Sequence, residues 1–147
     1  MLYLLTFLLA IPSGVFWFLN AEVLVVTQVT QGGGAPWLVA LLTTLGQFIG
    51  YSTLYLFADR VLTRVAFIRR AVARAHLRTP GWGTYLAFTT GGLSGLPPLL
   101  ALFTLYGSAR VARLPRLLAC AMPARLVWYL GWAYAPDFIR ETFGWLP

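Results

Sequence analysis

The composition of this 147-residue chain is that of an integral membrane protein. Hydrophobic residues make up 59% and charged residues 10% of the sequence, and the mean hydropathy is +0.75, whereas soluble domains carry about a quarter charged residues. The net charge of +7 therefore bears on orientation in a bilayer and on contact with anionic lipid. The single cysteine excludes an internal disulfide.

Residues 1–19 are predicted to form the first transmembrane helix. The stretch is apolar apart from a few small or polar residues, and it ends in three consecutive aromatic residues at 16–18, as is typical of a membrane interface. Pro12 and Gly14 favour a kink or a break within it. A cleaved signal peptide is the alternative, although the stretch lacks the basic region that opens such a leader.

Residues 20–34 are too short and too polar for a crossing. Their apolar core is far below the roughly 20 residues that a spanning helix needs, and Glu22, Gln28 and Gln31 interrupt or border it. Short helical backbone at membrane depth is stable only where protein or a water-filled cavity covers it. We therefore predict a re-entrant element whose sharp exit is the triple glycine at 32–34.

Residues 35–58 form an apolar run that is long enough for a full crossing. Gly46 and Gly50 stand four positions apart on one face of this predicted helix. Such G-x-x-x-G spacing lets a neighbouring helix approach closely, so we expect a second helix to pack here.

Residues 59–79 are predicted to form a cytoplasmic amphipathic helix on the membrane surface. Five of their arginines fall on one face of a helix, opposite an apolar face, and arginine can reach lipid phosphates while its stem stays buried. A solvated basic helix between two membrane parts is the alternative. The predicted headgroup-binding surface consists of Arg60, Arg64, Arg70, Arg74 and Arg78.

Residues 80–109 decide the predicted topology. Arginine clusters flank the segment on both sides, and the positive-inside rule places both clusters in the cytoplasm. Two crossings need about 40 residues, so we predict a half-depth re-entrant hairpin with its tip at residues 91–98. The last crossing is predicted over residues 117–135, ended by Pro136, and residues 136–147 are predicted to form an external tail.

Together these elements predict a single all-α integral membrane domain with three transmembrane helices, two re-entrant helical elements and a cytoplasmic amphipathic helix. It would lie in a bacterial plasma membrane as a multi-pass protein with its basic segments in the cytoplasm. Residues 22–42 align with residues 98–118 without gaps. Because the two halves enter from opposite faces, this is the inverted-repeat plan of many transporters. Chance alignment of two apolar segments is the alternative.

Several short motifs lie along residues 19–135: NAEVL at 20–24, LGQ and GY within 45–51, the basic segment, the glycine- and proline-rich tip, and YG at 106–107 before a last crossing that contains an arginine. In this order they resemble the DedA family, also called VTT or SNARE-associated membrane proteins. The resemblance implies a flippase or scramblase of phospholipids or polyprenyl phosphate carriers, with two facing re-entrant hairpins. The chain departs from larger members at Ser94 and Leu100, where they carry arginines, and at Gly34, near which they carry a second acidic residue.

Glu22 and Arg125 are the two ionisable residues predicted to lie furthest from water. A charge inside a membrane is costly unless it is paired, so both are candidates for a site in which Arg125 holds a lipid phosphate and Glu22 binds a proton or a headgroup amine. Alternatively, Glu22 lies at the outer interface and Arg125 snorkels inward. The predicted lipid-binding set is Glu22, Arg125, Gln28, Gln31, Gln47, Ser94, Gly95, Pro97 and Pro98.

The side-chain inventory does not favour catalysis. The chain has one histidine, one cysteine and four carboxylates, without the spacing of a metal site or a nucleophile with its base. We therefore predict no enzyme activity, no metal and no cofactor. The predicted partners are membrane lipids and, in a homo-oligomer, further copies of the chain; nucleic acid is not expected. Lipid translocation through a groove between the two hairpins is the favoured function. A proton-coupled exporter of small cations and a non-transporting subunit of a membrane complex are the alternatives.

Overall fold

The structure, a computed structural model, describes residues 1–14, 20–62, 80–96 and 98–143. Within these residues the chain is all helical and has no strand, which confirms the predicted all-α class. Residues 63–79, with most of the predicted basic helix, lie outside the described residues. The helices are α1 (Leu2–Ser13), α2 (Ala21–Thr30), α3 (Pro36–Leu62), α4 (Trp82–Ser94), α5 (Leu99–Ala109) and α6 (Leu114–Phe143).

Two long antiparallel helices, α3 and α6, form the centre of the fold. They have 27 and 30 residues, or about 40 and 45 Å at 1.5 Å per residue. Gln47 in the middle of α3 bonds Arg125 of α6, and Tyr55, two turns further along α3, reaches back to the carbonyl of Ala112 just before α6 begins. Among the described helices, α3 alone is long and apolar enough to cross a membrane by length and composition.

Helix α1 packs closely against α3 and runs in the same direction. A Cβ added at Gly46 would lie 2.6 Å from that of Ala10, and one added at Gly50 would lie 3.2 Å from the Cα of Gly14. The prediction that Gly46 and Gly50 allow close helix packing is therefore confirmed. At the start of α1, the hydroxyl of Tyr3 accepts a hydrogen bond from the amide of Ala35, just before α3, at 3.2 Å.

Helix α2 returns alongside α1, so the two form the first helical hairpin. Asn20, which caps α2, lines the same cavity as Ser13 at the end of α1. Past the other end of α2, a Cβ added at Gly32 would lie 2.8 Å from the side chain of Leu2. Helix α1 covers part of the crossing predicted over residues 1–19 and is not among the helices long enough to span a membrane. Helix α1 has 12 residues, or about 18 Å, and it ends at the level of Gly50, halfway along α3.

Helices α4 and α5 form the second hairpin, with its break at the position predicted for the tip. Gly95 ends α4 with a φ of +74°, a conformation that glycine adopts without steric cost. The arms run antiparallel, since the hydroxyls of Thr84 and Tyr106 lie 3.0 Å apart and the rings of Phe88 and Phe103 lie 4.9 Å apart, edge to face. Helix α4 packs on α6, and α5 packs on α3.

Helix α6 is longer than predicted at both ends. It begins at Leu114 and continues through Pro136 to Phe143, so the prediction that the helix ends at Pro136 is wrong. Proline removes one backbone hydrogen bond, but the helix continues through Pro136, which is buried. Residues 144–147 lie outside the described residues.

The two halves of the chain repeat the same three-helix unit. The start of α2 at Ala21 corresponds to the start of α5 at Leu99, and in the same register the start of α3 at Pro36 corresponds to the start of α6 at Leu114. The structural repeat is thus shifted by two positions from the register predicted from the sequence. In each half the first arm of the hairpin runs parallel to the long helix that follows. Because α3 and α6 are antiparallel, the halves are inverted with respect to each other, and the two hairpins approach each other from opposite ends of the bundle.

The close packing of α1 on α3 predicts a contrast between two glycines. Gly46→Ala should lower the free energy of unfolding by about 1–3 kcal/mol, as overpacking does, because the new methyl meets Ala10 and the carbonyl of Phe7. Gly131→Ala in α6, where a Cβ meets nothing within 4 Å, should be neutral or stabilising by up to about 1 kcal/mol. Thermal unfolding of the purified protein measures both. Equal effects at the two sites would contradict this packing.

Candidate functional site

Arg125 lies at the centre of a buried polar cluster between the two hairpins. Its Nε donates to Oη of Tyr129 at 3.0 Å and to Oε1 of Gln47 at 3.2 Å, and its guanidinium lies over the Tyr129 ring at 4.8 Å. Its Nη2 donates to Oε1 of Glu22 at 3.2 Å. Nη1 donates to none of the described residues, so part of the guanidinium fork remains for a ligand.

Glu22 pairs with Arg125 from the first turn of α2. The Oδ1 of Asn20 accepts from the backbone amides of Glu22 and Val23 at 2.9 and 3.3 Å, which caps the helix and fixes its first turn. The Oε1 of Glu22 accepts from Arg125 and also from Nε1 of Trp128 at 2.9 Å. The side chains of Arg125 and Glu22 are 9% and 22% exposed, so the pair is largely shielded from solvent.

Gln47 connects the charged pair to the first hairpin. Its Nε2 donates to Oγ of Ser13 at 3.3 Å, while its Oε1 accepts from Arg125. Gln47 and Arg125 are also equivalent positions of the structural repeat, and two equivalent residues that touch each other must lie on the axis that relates the halves. Tyr51 and Tyr129, each one turn further along, are a second equivalent pair, and both are buried.

A cavity of about 240 Å³ lies beside the cluster, where the ends of both hairpins meet. It is large enough for several water molecules or a small polar group, and it contains one positive and one negative side chain. Most of its wall consists of equivalent positions of the two halves, which places the cavity on the same axis. These pairs are Ser13 and Gly91, Asn20 and Pro98, Ala21 and Leu99, Glu22 and Leu100, and Gln47 and Arg125.

Five of the predicted lipid-binding residues meet at this cavity: Glu22, Gln47, Gly95, Pro98 and Arg125. This excludes, within the structure, the alternative in which Glu22 and Arg125 point apart to opposite interfaces, since the two form an ion pair.

Other predicted residues do not reach the cavity. Ser94 is exposed, and its hydroxyl donates to the backbone of its own turn. Gln31 is exposed at the far end of α2, and Oε1 of Gln28 is buried without a hydrogen-bond partner among the described residues. Arg60 lies at the end of α3, over the ring of Phe57 at 5.2 Å. Pro97, Arg64, Arg70, Arg74 and Arg78 lie outside the described residues.

Sequence reasoning missed several residues of the cluster, above all Trp128, Tyr129 and Tyr51. A signal was available in helical spacing, because a polar side chain is followed four residues later by a tyrosine in both long helices: Gln47 with Tyr51, and Arg125 with Tyr129. Residues four apart share one helix face. The register of the structural repeat aligns these two pairs, whereas the register predicted from the sequence does not.

The charged pair predicts a non-additive mutational cycle. Arg125→Met leaves the Glu22 carboxylate without its ionic partner and should destabilise the protein by about 1–3 kcal/mol, the usual cost of a lost charged hydrogen bond. Adding Glu22→Gln to that variant should recover part of the loss, with a coupling energy of about 0.5–3 kcal/mol. Unfolding midpoints of the four proteins measure the cycle. Strict additivity would show that the two side chains do not interact.

In comparisons with protein-family models, with curated proteins and with solved structures, nothing matches this chain. Among the described residues, no three histidine, cysteine or carboxylate side chains gather as a metal site would need. The function is therefore inferred from the buried pair, the cavity and the arrangement of the hairpins around them.

Proposed function

We propose that the chain is a multi-pass membrane protein in which α3 and α6 cross the bilayer and the two hairpins each enter halfway. Support comes from the apolar span Pro36–Ala58 and from α6, which runs antiparallel along it. The outward surfaces of the helices also carry large apolar side chains. Examples are Leu4, Leu8, Phe48, Ile49, Leu86 and Val127, each 40% exposed or more. This proposal has two crossings where the sequence predicted three, since α1 turns back.

The arginines support one orientation of this bundle. Arg60 at the end of α3 and Arg110, Arg113 and Arg116 around the start of α6 are exposed at one end. Exposed aromatic side chains lie at both ends, with Trp37, Trp132 and Tyr134 at the end without these arginines and Trp82 and Phe57 at the arginine end, as is typical of the two membrane interfaces. By the positive-inside rule the arginine end is cytoplasmic. The first hairpin then enters from outside and the second from the cytoplasm of a bacterial cell.

The function that this arrangement supports best is translocation of lipid headgroups between the two leaflets. A headgroup crosses hydrocarbon slowly because its polar atoms lose their hydrogen bonds there. The observation that carries the proposal is the shielded Glu22–Arg125 pair beside a cavity where both hairpins end. Arg125 would receive the headgroup phosphate on the free part of its guanidinium.

The motif resemblance to the DedA family supports the same proposal, because that family is expected to place two re-entrant hairpins face to face. We propose that the chain is a short member of it. Its second hairpin contributes the apolar Leu100 where the first contributes Glu22, and Leu100 cannot bind a phosphate. The phosphate would therefore be held by Arg125 of the crossing helix and by the backbone around Gly95, which line the same cavity.

A proton-coupled cation exporter is less well supported by the geometry. Such a transporter needs a carboxylate that can exchange a proton for a cation, whereas Oε1 of Glu22 already accepts from Arg125 and from Trp128. Uptake of cationic dyes into vesicles that contain the purified protein would distinguish the exporter. A non-transporting complex subunit would move neither dye nor lipid and would copurify with its partner.

Lipid movement in reconstituted vesicles tests the proposal. The purified chain should speed the exchange of a fluorescent phosphatidylethanolamine between leaflets, measured by reduction of the outer dye with dithionite. Arg125→Gln should slow this exchange about tenfold or more, because a charge-assisted hydrogen bond is worth about 1.5–3 kcal/mol.

Arg116→Gln is the matched control, since it removes an exposed arginine from the same helix and should leave the rate nearly unchanged. Circular dichroism of each variant shows whether it folds. Unchanged exchange in folded Arg125→Gln, or exchange no faster than in empty vesicles for the native chain, would refute the proposal.

A further inference from the structure

A second cavity adjoins the central one and opens sideways between α2 and α6. It has a volume of about 540 Å³ and a mostly apolar wall. Asn20 and Glu22 line both this lateral groove and the central cavity, so one layer of side chains separates them. The rest of the groove wall is Val23, Val26, Thr27, Trp128 and Trp132.

Glu22 forms part of the boundary between the two spaces and is held there by hydrogen bonds. The Oε1 of Glu22 accepts from Arg125, which lines the central cavity, and from Nε1 of Trp128, which lines the groove. The ring of Trp128 is held edge to face by Trp132 at 5.9 Å. A rotation of the Trp128 side chain would break its hydrogen bond to Glu22, a residue that lines both spaces.

The equivalent place in the second half is closed. There α5 packs against α3, where the rings of Tyr51 and Phe103 stack at 5.0 Å, and Gly107 lies directly against the backbone of Tyr55. The groove thus breaks the symmetry of the repeat. It lies towards the end of the bundle at which α3 begins.

We propose that the lateral groove binds a hydrocarbon chain of the membrane lipid whose headgroup enters the central cavity past Glu22 and Trp128. This inference rests on the proposed lipid-handling function. An amphiphile matches the groove because its inner end offers Asn20 and Glu22 for hydrogen bonds, while Val23, 60% exposed, and Trp132, 38% exposed, form an apolar outer part. The groove and the polar cavity share Asn20 and Glu22 as wall residues, so one lipid molecule could place its chain in the first and its headgroup in the second.

Photo-crosslinking in vesicles tests this groove without depending on transport. A phospholipid with a diazirine on its acyl chain is incorporated with the full-length chain, and adducts are located by mass spectrometry. Adducts should concentrate on Val26 and Trp132, which line the lateral groove and not the groove between α1 and α2. Val26→Trp, which fills the groove, should lose most of them. Leu24→Trp is the matched control, because it adds the same bulk on the same helix but lines a different groove, between α1 and α2, and should keep them.

The outcomes separate the groove from the proposed function. The groove is supported if the adducts are concentrated there and if Val26→Trp removes them while Leu24→Trp does not. This holds whether or not the native protein moves lipid. Adducts spread evenly over all lipid-facing helices, or removed equally by both variants, overturn it even if lipid exchange is fast. An absence of adducts from Val26 and Trp132 while other lipid-facing residues are labelled, as a dimer contact over the groove would produce, would also overturn the proposal.

Discussion

A guanidinium buried in an apolar bundle must be neutralised and given acceptors, and this constraint organises the protein. An unpaired charge in such surroundings costs several kcal/mol. Arg125 meets the requirement with groups from three different elements: the carboxylate of Glu22 at the start of α2, the amide of Gln47 in the middle of α3 and the hydroxyl of Tyr129 on its own helix. The same contacts hold the start of α2 against both long helices.

The inverted repeat explains why the cluster lies where it does. Equivalent positions approach each other only near the axis that relates the two halves, and Gln47 and Arg125 are such positions. The backbone is symmetric but the charges are not. The repeat position equivalent to Arg125 is the neutral Gln47, and the position equivalent to Glu22 is Leu100. A symmetric scaffold therefore carries an asymmetric site, with both charges and the open lateral groove on the side of the first hairpin.

Much of this arrangement follows from local sequence patterns, and the rest depends on packing. The short polar-bordered segment before the triple glycine, the Gly46–Gly50 face and the break near Gly95 are local signals, and each lies where it was predicted. The length of α1 was misjudged because the sequence of an apolar run is similar in a helix that crosses a membrane and in one that ends near Gly14. The end of α6 was misjudged because a proline weakens a helix locally without always ending it, and α6 continues through Pro136. Trp128 could be found only through its contact with Glu22, which no sequence spacing records.

The central claim is that both hairpins end halfway through the membrane, and the immersion depth of spin labels tests it most directly. Labels at Gln31, beyond the first hairpin, and at Gly81, before the second, should report the two opposite membrane surfaces. Both positions are exposed. A label at Leu96, in the tip of the second hairpin and 71% exposed, should lie near the bilayer centre, with more contact with oxygen than with a water-soluble nickel complex. A label at Leu96 that lies at an aqueous surface would contradict the account.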